Sequence, residues 1–177
     1  GAVSRIGSYE WPIELTDTTR AFLDGVTELT GVEFDPANPG KLLAELGTVA
    51  RFVGATLQNT ANPTLLAAGY KHNVIPGTAE AFIDARTLPG QEEQLLEIVK
   101  SLAGEGIDVS YEHKDVSLEV PFSGNLVDSM VAALQAEDPG APVLPYTLSG
   151  GTDNKSLSRL GITGYGFAPL RLPEDLD

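Results

Sequence analysis

Two stretches of this chain hold polar side chains at spacings that could do chemistry. In the first, Asn73 to Gly90, the residues run N-V-I-P-G-T-A-E-A-F-I-D-A-R-T-L-P-G, with Asn73 just ahead of a turn and Arg86 thirteen residues further on. Arg86 carries a planar, fork-shaped cation in a chain of formal net charge -14, which makes it a candidate anion receptor. The alternative is an ion pair within its own strand, to Glu80 or Asp84. In the second stretch, Ser149-Gly150-Gly151-Thr152-Asp153, backbone N–H groups at the start of a helix and the Thr152 hydroxyl could hold a carboxylate or a tetrahedral oxyanion. An ordinary glycine-rich turn capped by Thr152 or Asp153 accounts for the same residues. The two histidines, His72 and His113, have no metal-binding spacing, and both are expected to be structural or solvent-exposed. No G-x-S-x-G elbow and no phosphate-binding loop is present.

The first pair of candidates needs a strand and a turn to position it. Ile75-Pro76-Gly77 reads as a turn, because proline presets one dihedral and glycine accepts a positive φ. From Thr78 to Arg86 the residues alternate: Ala79, Ala81, Ile83 and Ala85 share a small apolar face, and Glu80, Phe82, Asp84 and Arg86 share the charged one. One bound molecule can meet both Asn73 and Arg86 only where the chain folds back, so a hairpin is expected. Its other strand is placed at Thr64 to His72, after a loop at Asn59 to Pro63.

Around this hairpin the pattern is α+β. Ala2, Val3 and Ile6 have helical spacing, Trp11-Pro12 breaks that element, and Thr16 to Leu29 carries a helical stripe of Phe22, Leu23, Val26 and Leu29, with Thr16 or Thr18 as cap and Gly31 as stop. Asp35 to Gly40 reads as a loop, Lys41 to Leu46 as a short helix, and Thr48 to Gln58 as either helix or strand. Gln91 to Ala103 is the clearest helix, with Glu92 and Glu93 in its first turn, Lys100 in its last and Gly104 beyond it, as the helix dipole favours. Ile107, Val109 and Tyr111 alternate with polar residues as a half-buried strand would. From Thr18 the order is helix, strand, strand, helix, strand; one further strand ahead of Gly1 would complete a ferredoxin-like βαββαβ unit. Composition shifts near Val120-Pro121. Beyond it come a helix at Leu126 to Leu134, a strand at Val143 to Leu148, a short helix to Leu160 and a strand at Ile162 to Phe167, an alternation expected of part of an α/β layer.

Composition narrows the function classes. With 177 residues and 42% hydrophobic content the chain can build a core, and disorder is not expected. A sequence pI near 4.4 disfavours nucleic-acid backbones and anionic membrane surfaces as partners. The absence of cysteine removes disulfides and thiolate metal sites and fits a reducing compartment, so a soluble, cytoplasmic protein is expected.

The N-V-I-P-G-T-A-E-A-F-I-D-A-R-T-L-P-G segment closely resembles the lid-domain signature of the two-zinc metallopeptidase and deacylase family of acetylornithine deacetylase, succinyl-diaminopimelate desuccinylase, aminoacylase and glutamate carboxypeptidase. The later S-G-G-T-D, followed by L-G-I-T-G-Y-G-F-A-P, resembles that family's C-terminal catalytic segment. The resemblance implies a ferredoxin-like lid over residues 1–118, lacking its first strand and carrying a helical insertion at 33–62, followed by a partial catalytic α/β domain over 119–177. It implies a homodimer through the lid. It also implies that Asn73 stabilises the tetrahedral oxyanion in the partner's active site, that Arg86 clamps the substrate carboxylate, and that Gly151 and Thr152 hold the substrate's carboxylate end.

The family's zinc ligands and general base have no counterpart here. The resemblance therefore implies a fragment of a zinc-dependent hydrolase, acting on an amide or peptide bond next to a carboxylate, whose two zinc ions are bound outside this chain and which is inactive alone. The alternative is a free-standing ferredoxin-like oligomerisation or small-ligand-sensing module.

Overall fold

In a computed structural model of the chain, residues 1–39, 41, 44 and 53–167 are described. They fall into two compact units: Gly1–Ile13 with Gln58–Ser117, and Glu14–Leu57 with Leu118–Asp177. Among the described residues there are five helices and one two-stranded antiparallel sheet, an α+β arrangement.

The first unit is built on a hairpin of β1 (Thr60–Ala68) and β2 (Ala79–Arg86). Thr60 pairs with Arg86 at its base and Ala68 with Ala79 at its tip. β1 therefore starts within the expected loop at Asn59 to Pro63 and stops before His72. Proline is compatible with this strand because the register shifts between Pro63 and Leu65, leaving Thr64 as a bulge where ladder hydrogen bonding is interrupted anyway. Gly69, in the left-handed region at φ 74°, ends the strand early.

Helices α1 (Ala2–Gly7) and α3 (Glu92–Ala103) cover the base of the hairpin. Ile6, Trp11, Ala61, Leu95 and Val99 form the buried centre, with Ile83 and Val109 packed against it. Ala61 and Ile83 belong to the apolar face whose small residues let the helices approach. Arg5 ties the two helices together: its Nε donates to the Leu102 carbonyl and its terminal nitrogen to that of Ala103, both at 2.7 Å, satisfying two orphan acceptors at the C-terminus of α3. The helix packed beside α3 is thus α1. The expected helix at Thr16 to Leu29 exists as α2 (Asp17–Thr30), but it belongs to the second unit.

Ile107 to Tyr111 forms no strand. Val109 reaches the core while Ile107 is half exposed, and the segment is instead tied to α3: the Tyr111 hydroxyl donates to the Glu92 carbonyl at 3.0 Å, and Ser117 N–H donates to the Glu92 carboxylate at 2.9 Å. Alternation makes a strand only where a neighbouring strand supplies the ladder. Among the described residues none does so here.

In the second unit, Thr16 caps α2 by accepting from the Thr19 N–H at 3.2 Å, and Gly31 closes it at φ 74°. Gly25 lies directly under Leu144, and Phe22 meets Tyr146 edge to face at 6.1 Å. Helix α4 (Asn125–Glu137) buries Val127, and α5 (Asn154–Ser158) follows the glycine-rich turn. The strands expected at Val143 to Leu148 and Ile162 to Phe167 do not form a sheet. Strands of an α/β layer need paired neighbours and cover on both faces, which this stretch alone does not supply. The expected helix at Lys41 to Leu46 lies almost wholly outside the described residues, as do Thr48 to Phe52 of the segment left between helix and strand.

Two polar contacts carry measurable weight. Asn59, 3% exposed, accepts from the Leu88 N–H at 2.7 Å and donates to the Gln91 side chain at 2.5 Å, joining the start of β1 to the entry of α3. Asn59→Ala leaves a buried N–H without a partner and should cost about 1–3 kcal/mol of unfolding free energy, read from denaturant midpoints; an unchanged midpoint would show that water replaces the side chain. Glu119 accepts from the Thr18 N–H at 2.7 Å, at the start of α2. Partial burial pushes its carboxyl pKa up, but the Thr18 N–H and the Thr16 and Thr18 hydroxyls outweigh this and hold it below the usual glutamate value. A carboxyl depressed in the folded state stabilises above its unfolded pKa, and that stabilisation is lost as pH falls through the folded pKa, below about pH 4. Glu119→Gln should flatten the acid limb of the stability curve, which pH-dependent thermal melts would detect.

Candidate functional site

Arg86 is the last residue of β2, at the base of the hairpin. Asp84, two residues back on the same face, accepts from both Nε and a terminal nitrogen of Arg86 at 3.1 Å. Of the two intrastrand partners considered, Asp84 is therefore the one engaged. Side-chain exposures of 58% for Arg86 and 45% for Asp84 put the pair in solvent, where a second carboxylate can approach the guanidinium.

Asn73 lies at the other end. The loop Gly69–Thr78 joins the strands and carries Asn73 in its turn, where Val74 N–H donates to the Lys71 carbonyl at 3.2 Å. Asn73 is exposed, and so is His72 beside it. The hairpin forms as expected, but it does not bring Asn73 and Arg86 together. β2 has eight residues, so its ends stand roughly 24 Å apart at about 3.4 Å per residue. No small molecule spans that distance, so within one chain the two side chains serve different places.

Gly151 and Thr152 lie in the second unit. Thr152 is exposed and its carbonyl accepts from the Lys155 N–H at 3.1 Å, while the Asp153 carbonyl accepts from Ser156 and Leu157. Nothing lies within 4 Å of where a Gly151 Cβ would stand, so that backbone is open to an incoming group. No side-chain oxygen caps α5.

Metal chemistry finds no support in the side chains present. His72 and His113 are both exposed, and among the described residues no group of three or more His, Asp or Glu side chains could hold an ion. The described residues therefore do not fit a zinc site. The buried Asn59 bridge escaped sequence reasoning because its partners, Leu88 and Gln91, become neighbours only through strand pairing; an asparagine at the start of a strand gives no local sign of it.

The peptidase dimerisation domain of family M20 matches residues 20–107. The chain is 28% identical over 141 residues to an N-fatty-acyl-amino acid synthase/hydrolase of Xenopus tropicalis, covering 77% of this chain. It is 27% identical over 114 residues to human aminoacylase-1, covering 62% of this chain. In each case the match spans 28% of the relative's own length. No solved structure matches the chain significantly. No helix among the described residues is long and apolar enough to cross a membrane.

An exposed Arg–Asp pair adds little to folding, between about 0 and 1 kcal/mol. Arg86→Ala should therefore leave the denaturation midpoint nearly unchanged, and a large loss of stability would mean that Arg86 is there for the fold.

Proposed function

We propose, on the premise that this chain belongs to peptidase family M20 through its dimerisation domain, that it supplies the gripping half of an amide-bond hydrolase. The observation that carries this reading is the separation of Asn73 and Arg86 to opposite ends of one hairpin. A hairpin anchored at its base by α1 and α3 and projecting at its tip can offer Arg86 to one active site while Asn73 reaches the site of a second subunit. Arg86 then exchanges Asp84 for the substrate carboxylate, keeping a charge-assisted, two-pronged contact throughout. Asn73 donates its amide N–H to the oxygen that becomes negative as the scissile carbonyl turns tetrahedral. The open backbone at Gly151 and the Thr152 hydroxyl hold the substrate's carboxylate end.

The lid is the ferredoxin-like unit over residues 1–118, and 119–177 begin a catalytic α/β domain. The grouping of Glu14–Leu57 apart from the hairpin unit supports an insertion in the lid, wider than the 33–62 read from the sequence. Completing the ferredoxin-like sheet requires a strand beside β2, and that same strand would give Ile107 to Tyr111 the ladder it lacks. The substrate is a small amide or peptide with a free carboxylate, and two zinc ions activate the water in the assembled enzyme. Since the described side chains do not fit a metal, both ions belong to residues outside this chain, and no step of the present chain runs through them. The acidic, cysteine-free composition supports a cytoplasmic homodimer without nucleic acid or membrane partners.

Two measurements test this. In the protein extended through the catalytic half, Arg86→Ala should lower kcat/KM for N-acyl amino acids by about 100-fold while an amide analogue of the carboxylate loses little, and Asn73→Ala should lower kcat by roughly 100- to 1,000-fold, the loss seen for a single oxyanion donor. Mixing the Asn73→Ala subunit with one disabled in its own catalytic base should restore activity if Asn73 acts across the dimer; no restoration refutes action in trans. The 177-residue chain itself should show no zinc-dependent hydrolysis, and turnover by it would overturn the reading.

A further inference from the structure

The loop that carries Asn73 is more apolar at its surface than a connecting loop needs to be. Ile75 is 93% exposed and Tyr70 85% exposed, with Val74 at 39%, so three large apolar side chains surround one amide. Scattered single hydrophobics on a surface mean little, but here they cluster within six residues and at the end of the hairpin away from the buried centre. The loop Gly69–Thr78 also holds no acidic residue in a chain with 25 Asp and Glu, and it carries Lys71 and His72. Solubility alone would favour the opposite composition at so exposed a point.

Resting on the proposed role of Asn73, we infer that Tyr70 and Ile75 are specificity-determining residues that line an apolar subsite next to the scissile amide, selecting substrates with a sizeable apolar group there. If the Asn73 amide sits on the reacting carbonyl, Val74 and Ile75, its immediate successors, and Tyr70, three residues before it, are within a side chain's length of the groups attached to that carbonyl and its nitrogen. The cationic, acid-free character of the loop leaves the neighbourhood of a substrate carboxylate free of repulsion. The apolar group can be the acyl chain or the amino-acid side chain, since either flanks the amide. Each methylene buried there contributes about fourfold to binding.

The test uses the protein extended through its catalytic half and two substrate pairs: N-octanoyl-alanine against N-acetyl-alanine, and N-acetyl-norleucine against N-acetyl-alanine. For Ile75→Ala and Tyr70→Ala, the inference expects the larger-to-smaller ratio of kcat/KM to fall about tenfold in one of the two pairs, and Ile75→Leu to restore it. The pair that responds identifies the group that enters the subsite. Ratios unchanged in both pairs, including an equal loss on every substrate as a purely structural contact would produce, overturn it. Because both side chains are almost fully exposed, the alanine variants should fold normally, which thermal melts verify. Asn73→Ala separates the two layers of argument: a large fall in kcat with unchanged ratios for Ile75→Ala and Tyr70→Ala refutes the subsite alone, whereas unchanged kcat for Asn73→Ala refutes the placement of the loop at the reacting amide and the subsite with it.

Discussion

A two-stranded antiparallel ribbon is marginal by itself in water, and the first unit is organised by that constraint. β1 and β2 persist because one face of the ribbon is covered near its base, where Ala61 and Ile83 meet Ile6, Leu95 and Val99. The small residues of β2 permit that close approach. The Asn59 bridge then fixes where β1 begins relative to α3, and Arg5 fixes α1 against the far end of the same helix. All of these restraints act at the base. Towards the tip, Leu65 and Leu66 are already mostly exposed and Ile75 almost completely so. The ribbon is therefore anchored at one end and free at the other, and this asymmetry separates the two candidate side chains.

Electrostatics at the anchored end follow from exposure. Arg86 holds Asp84 in a geometry that satisfies its fork, yet the pair gains little because water solvates both partners. A carboxylate ligand that shields the guanidinium from water would compete well, since the same Coulomb attraction grows as the local dielectric falls. Asp84 in this light keeps the arginine oriented along the strand face without committing it. In a chain with so large an acid excess, such an arrangement also prevents Arg86 from wandering to distant carboxylates.

The helices were legible because their signals are local. Thr16 as cap, Gly31 and Gly104 as stops and the acidic first turn of α3 all act within one turn of the residues they affect, and the structure keeps them. The strands were less legible because pairing is not local. Pro63 argued for a loop, and only the register shift that lets β1 carry it shows otherwise. Ile107, Val109 and Tyr111 alternate correctly, but alternation describes a face and cannot supply a neighbour; the same holds for Val143 to Leu148 and Ile162 to Phe167. Thr16 to Leu29 was read correctly as a helix and attached to the wrong unit, since the short α1, with only Ala2, Val3 and Ile6 to mark it, is the one that packs beside α3. As for the candidate site, sequence identified Asp84 among the partners of Arg86 and the turn at Asn73, whereas the distance between them depended on the length of β2.

That distance changes how the hairpin should be understood. A turn that brought Asn73 and Arg86 together would be a binding site, and its specificity would come from the turn alone. Eight paired residues between them make a spacer instead, whose length is set by backbone geometry and whose stiffness comes from the ladder and the helices at its base. A spacer is useful only if both ends have something to reach. The base carries a cation poised by Asp84, and the tip carries an amide among exposed apolar side chains, so the two ends present different chemistries. A dimerisation domain that displayed both at a fixed separation would couple assembly to function directly: with one subunit the tip has no partner surface, and with two related by a two-fold axis each tip can complete what the other subunit's base begins.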